Sequence, residues 1–170
     1  MLISLLAVSA IVFGFALLYP EARQYAHVRQ EVQLHVASAP VASIGQVYVD
    51  EQGVVTYERP AVFVPHIDAL ISPPSAGDVI TDPSVLMVIR TIGQFERAYL
   101  AVEHATIYNE NYIELVVSDQ VKVVSTHATD PFYLVSTVKS IHQAYEIEGR
   151  SIDVIDVRFS KPFVIEQYGP

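Results

Sequence analysis

The sequence predicts an α+β domain, a mixed or antiparallel β-sheet with two helices packed on one face, behind an N-terminal transmembrane helix. Three observations carry this. Met1 to Tyr19 is an uncharged apolar run. The dipeptides Asp82-Pro83 and Asp130-Pro131 each open a stretch with apolar residues at helical spacing. Between and around those stretches, short segments alternate apolar and polar residues with period two, the pattern of half-buried strands.

Taken in order, residues 1–19 contain only Ser4, Ser9 and Tyr19 as hydroxylated side chains. At the helical rise they span roughly 28 Å, about one hydrocarbon core. A cleavable signal would want a basic start and a small-x-small exit, whereas this run leaves through Tyr19-Pro20-Glu21, so an uncleaved anchor is expected. No Lys or Arg precedes it while Arg23 and Arg29 follow, so the positive-inside rule taken alone would leave the bulk of the chain in the cytoplasm. Residues 20–45 read as a short strand and connector. Tyr25 to Val36 places Val32, Leu34 and Val36 at spacing two, with a helix as the second reading, and Ala37 to Val41 is a connection.

Residues 46–170 form the folded domain. Gln46 to Glu58 gives Val47 and Val49, the turn Asp50-Glu51-Gln52-Gly53, then Val54, Val55 and Tyr57, a hairpin. Arg59 to Pro83 holds five of the ten prolines and reads as a surface loop. The first helix follows Asp82, with Val85, Leu86, Val88, Ile89, Ile92 and Phe95 in phase, and runs to about Ala98. Ala105 to Tyr108, Tyr112 to Ser118 and Val121 to Ser125 are strands, with Asp119-Gln120 in the tight turn of the last pair. The second helix presents Leu134, Val138, Ile141 and Tyr145 as a core stripe and closes at Glu148-Gly149-Arg150. Ile152 to Phe159 returns as a strand, and Lys161-Pro162 interrupts it before Phe163-Val164-Ile165.

The composition excludes several classes. With 170 residues, 51% hydrophobic and 17% charged, this is no solvated disordered chain. The net charge of -9 argues against nucleic acid, whose phosphates need clustered cations. Zero cysteines exclude disulfides and thiolate chemistry. No nucleophile elbow, phosphate-cradling glycine loop or zincin motif occurs, so no enzyme activity, cofactor or small-molecule substrate is expected. The nearest chemical fragments are His66-Ile67-Asp68 and Glu103-His104, each short of the three convergent groups that a metal or acid-base site needs, so no metal is expected. Asp153 with Asp156, and Glu110 with Glu114, fit the wet face of a sheet better than paired-carboxylate catalysis.

Set in order, Tyr25-Ala26-His27-Val28-Arg29, Val32 to Val36, Pro40-Val41-Ala42, Tyr48 to Val55, Val64-Pro65-His66-Ile67 and Ile155-Asp156-Val157-Arg158-Phe159 make a series. It resembles the exit from a POTRA module into the β domain of the FtsQ/DivIB family of bacterial cell-division proteins, closing on that family's Ile-Asp-Leu-Arg-Phe/Tyr strand. The likeness covers roughly Pro20 to Ile165, with residues 20–45 similar to the end of a POTRA module. The family normally carries a basic tail before the anchor and a complete POTRA module after it. Here the anchor meets what would be the last POTRA strand almost directly, so a reduced member or a truncated or trimmed chain is expected.

The resemblance implies a non-enzymatic, single-pass scaffold of the bacterial cytoplasmic (inner) membrane, its C-terminal domain on the extracytoplasmic side, that takes part in septum assembly. Its implied partners are FtsB/FtsL (DivIC/FtsL)-type coiled-coil proteins, with the lipid bilayer holding residues 1–19. The implied mode is β-augmentation, in which an edge strand offers unpaired backbone groups to a partner strand. By position this uses Arg158, Phe159, Ser160, Phe163, Val164 and Ile165. Alternatively, Phe159, Phe163 and Ile165 simply finish the core. A different class, a pilin-like filament subunit, would share the apolar start and sheet domain, but position 5 is Leu5 where those proteins carry Glu.

Overall fold

The computed structural model describes residues 38–167. The expected transmembrane helix at 1–19 and the strand at Tyr25 to Val36 lie outside the described residues. Among the described residues no helix is long and apolar enough to cross a membrane.

The described residues form an α+β domain with nine strands in one mixed sheet and two helices. The elements are β1 (Ala42–Ile44), β2 (Val47–Val49), β3 (Val55–Thr56), β4 (His66–Ala69), α1 (Pro83–Arg97), β5 (Val102–Asn109), β6 (Tyr112–Val117), β7 (Val121–Ser125), α2 (Pro131–Glu148), β8 (Ile152–Asp156) and β9 (Phe163–Glu166). Across the sheet the order is β3-β2-β1-β4-β5-β6-β7-β8-β9. The pairs β1–β4, β4–β5 and β7–β8 are parallel, and the rest are antiparallel. Each helix therefore lies in a crossover, α1 between β4 and β5 and α2 between β7 and β8, as parallel neighbours require.

Both Asp-Pro signals start helices. Asp82 accepts from the backbone N–H of Ser84 at 2.9 Å and Val85 at 3.0 Å, and Asp130 accepts from that of Tyr133 at 2.8 Å. At the C-terminal ends, Leu100 N–H returns to the Phe95 carbonyl and Arg150 N–H to that of Tyr145, each at 3.0 Å. These returns need a left-handed residue. Gly149 supplies it at φ +67°, and Tyr99, fully solvent-facing, takes it at φ +62°.

One face of the sheet is buried beneath the helices. Ala42, Val49, Ile67, Ala105, Leu115, Val123 and Ile155 point into a single core with Val85, Val88, Ile89, Ile92 and Phe95 of α1 and Leu134 and Val138 of α2. The α2 stripe is shorter than its sequence suggests, because Ile141 and Tyr145 are only half-buried against the core.

Four expectations need correction. The hairpin expected at Gln46 to Glu58 is two linked hairpins, since β1, inside the segment read as connector, pairs with β2 through a turn at Gly45 (φ +60°). The loop at Arg59 to Pro83 contains β4, an interior strand. Its four residues are too short for a periodic signal, and Pro65, which cannot donate, serves instead as acceptor for Ser43 N–H at 2.9 Å. The strand expected at Ala105 to Tyr108 runs from Val102 to Asn109. The strand expected at Ile152 to Phe159 ends at Asp156, whose carboxylate accepts the backbone N–H of Arg158 at 3.0 Å and turns the chain out of the ladder.

Candidate interaction site at the last strand

The last strand is an edge, with no strand outside it among the described residues. Hydrogen bonding in an extended chain alternates sides, so the direction of each backbone group on β9 follows from two bonds. Val157 N–H donates to the Val124 carbonyl at 2.9 Å, so Ile155 also faces β7, and Val154 and Asp156 face β9. Their partners on β9 are Ile165 and Phe163. Gln167 N–H donates inward to Ser151 at 3.0 Å, in the same phase. The backbone N–H and C=O of Val164 and Glu166 therefore point outward. Pro162 falls in that outward phase, where its missing N–H leaves the β8 ladder intact.

Side chains on β9 divide between two environments. Phe163 is 60% and Ile165 43% exposed, on the face away from the helices. Val164 is half-buried toward α2, where it lines an open groove of about 630 Å³ with Pro162, Tyr133, Thr137, Ile141 and Tyr145. Ser136 and Ser140 also line this groove, and their hydroxyls donate back to the carbonyls of Tyr133 and Ser136 at 3.0 and 2.9 Å. Phe163 and Ile165 thus do not finish the core, and Val164 packs only partly against it.

Arg158, Phe159 and Ser160, expected on the edge strand, lie in the connection between β8 and β9. Arg158 is held there by Asp156. Its Nε lies 3.0 and 3.2 Å from the two carboxylate oxygens and its Nη2 2.6 Å from Oδ2. Its guanidinium carbon sits 4.9 Å from the centre of the Tyr112 ring and 5.6 Å from that of Phe159. The side-chain bond to Arg158 holds the largely buried Asp156 carboxyl below its usual range, against the opposing pull of burial. The same bond raises the Arg158 guanidinium. Phe159 is 61% exposed beside this pair, and Ser160 is exposed. At the other end of β9, Arg150 bridges Glu166 and Glu148 and stacks on Tyr145, and the hydrogen bond to Glu166 raises its pKa.

Sequence reasoning missed Asp156 and Tyr112 as the neighbours that hold Arg158. The signal for Asp156 was present, since a carboxylate two positions before an arginine shares its side of an extended chain. Tyr112 comes from β6 and reaches the site through pairing across β7 and β8, which no local pattern encodes.

The separate fragments His66-Ile67-Asp68 and Glu103-His104 meet in part. His66 and His104 are direct cross-strand partners on β4 and β5, while Glu103 bonds to Gln120 instead. Among the described residues, no group of three or more His, Cys, Asp or Glu side chains is placed to hold a metal ion.

No family model and no curated protein matches the sequence.

Proposed function

We propose that this protein is a binding module that takes up a partner strand along β9, serving as a non-enzymatic, membrane-anchored scaffold of the bacterial division machinery. The observation that carries the reading is the β9 edge itself: two residues with outward backbone donors and acceptors, flanked by exposed Phe163 and Ile165 on one side and the α2 groove on the other. A strand laid beside β9 would complete the ladder at Val164 and Glu166 and place alternate side chains toward Phe163 and Ile165 or over Val164. Arg158 and Phe159 would border its entry. The resemblance supplies the partner class, coiled-coil proteins of the FtsB/FtsL type, and the placing of the domain outside the cytoplasmic membrane behind an anchor at residues 1–19.

The test is capture of partners by the detergent-solubilised protein, followed by mass spectrometry, with Val164→Pro as the decisive variant. This change deletes an outward N–H and leaves the β8 ladder bonds in place, so circular dichroism should be unchanged. Loss of one backbone bond plus the steric block is expected to weaken partner binding about tenfold or more. Equal capture of septal coiled-coil proteins by both forms would overturn the edge mechanism. Recovery of homomeric filaments alone would overturn the scaffold and favour a pilin-like subunit.

A further inference from the structure

We propose that the end of the sheet where β1, β4 and β5 begin rests on a lipid bilayer, with Val62, Phe63 and Tyr99 inserted at headgroup level. The inference rests on the membrane anchoring proposed above and adds a contact made by the folded domain itself. Three chain segments meet at this end. β1, β4 and β5 are parallel neighbours, so the residues that lead into them lie together. Pro40 and Val41, Val64, and Leu100 with Val102 come from those three segments, and with Ile92 of α1 they line an open groove of about 370 Å³.

The rim of this groove displays large apolar side chains. Val62 is 71%, Phe63 80% and Tyr99 95% exposed. Together they form the kind of contiguous apolar patch that marks an interaction surface. Tyr99 also holds a left-handed backbone at φ +62°, in the turn where α2 uses Gly149. A side chain there costs backbone energy. So exposed a ring recovers none of that cost in the core, and its gain comes from a contact outside the domain.

A bilayer is the occupant that fits. The chain enters the domain at this end: Pro40 and Val41 wall the groove, one short connector after the apolar run that closes at Tyr19. Aromatic side chains suit the membrane–water boundary, and tyrosine adds a hydroxyl that stays hydrated while its ring is buried. The contact is apolar rather than ionic. Arg59 is the single cation of the loop Arg59 to Val64, Arg97 is committed to Glu51, Glu96 is exposed at the groove, and the net charge of -9 opposes anionic headgroups. Salt should therefore leave the contact intact.

The sequence contains no tryptophan, so a single introduced indole reports its own surroundings. The full chain carrying Phe63→Trp, Tyr99→Trp or, at the other end of β4, Leu70→Trp is reconstituted in phosphatidylcholine vesicles with and without brominated acyl chains. Leu70 is 97% exposed and serves as the control. Bromine should quench the Phe63→Trp and Tyr99→Trp proteins about twofold or more, equally at low and high salt, and spare the Leu70→Trp protein. Adding Tyr99→Gly to Phe63→Trp should weaken the quenching while leaving the Tm unchanged or higher, so loss of folding cannot account for it. Flotation with the vesicles but no quenching at either position overturns the contact and leaves the anchor standing. Failure to float overturns the anchor and the contact with it. Equal quenching of the Leu70→Trp protein overturns the assigned end. Blue-shifted emission without quenching would mean that protein covers the patch, and overturns lipid as the occupant.

Discussion

The two edges of the sheet are finished in opposite ways. At one, β3 is two residues long and its outer side is already bonded: Val55 N–H donates to Asp78 at 2.9 Å, Gly77 N–H to Val55 at 2.8 Å and Ile80 N–H to Gly53 at 2.9 Å. Val54 and Val79 add an isolated bridge. At the other, β9 is four residues long, presents Val164 and Glu166 outward and meets no strand among the described residues. Proteins blunt edges because an open ladder recruits other chains. Protection at β3 and its absence at β9 in one sheet fit the proposed role of β9 as a recruiting edge.

This contrast predicts that changes near β3 damage stability, whereas changes at β9 damage binding. The largest effect is expected at Asp50, which is 1% exposed and whose carboxylate accepts from the backbone N–H of Val54 at 2.8 Å, Gln52 at 3.0 Å and Ser38 at 3.1 Å. Asp50→Ala strands those donors and should cost about 3 kcal/mol in urea unfolding, given that bonds to a charged group are each worth about 1.5–3 kcal/mol. Gly53→Ala comes next. Gly53 sits at φ +84°, and a Cβ there would lie 2.8 Å from the Leu86 Cδ2 atom, which can swing away. The left-handed backbone alone should cost about 1–2 kcal/mol.

At the β9 side the expected stability effects are smaller. Asp156 has a folded pKa below its unfolded value, so its contribution is fully present above about pH 3.9 and disappears as pH falls through the folded value. Asp156→Asn should therefore be less stable than the unaltered protein at pH 7, by about 1–2 kcal/mol, and the gap should close in strong acid. A gap that persists at low pH would mean that packing, not the charge pair, holds the connection. Phe163→Ser should change stability by no more than about 0.5 kcal/mol, as exposed positions do, while reducing partner capture. If it unfolded the domain instead, β9 would be a structural strand and the contrast between the edges would fail.

How much of this was legible depended on whether the determinant was local. Both helices were readable because Asp82-Pro83 and Asp130-Pro131 carry cap and first turn within three residues. The meander β5-β6-β7 was readable because its partners are sequence neighbours. β4 was hidden: four residues between prolines show no period, and their place is set by β1 and β5, both distant in the chain. The edge strand itself was legible in Phe163, Val164 and Ile165. It was misread at Arg158, Phe159 and Ser160, because the apolar run continues past Asp156 while the Asp156 carboxylate captures the Arg158 backbone and ends the strand. His66 and His104 show the same limit, since their meeting depends on parallel pairing that neither fragment announces.

From β4 onward, position in the sheet follows position in the chain. A ribosome releasing this chain would lengthen the sheet in one direction only, each new strand docking on the side left by the one before it, with the helices laid down in passing. The open outer edge of β9 comes into existence only after synthesis has passed residue 166, when every earlier strand has already been covered. A product that stopped short of β9 would display β8 as the edge instead. If β9 is the docking edge proposed above, an open edge there is in this way a report that synthesis of the domain has run through its last strand.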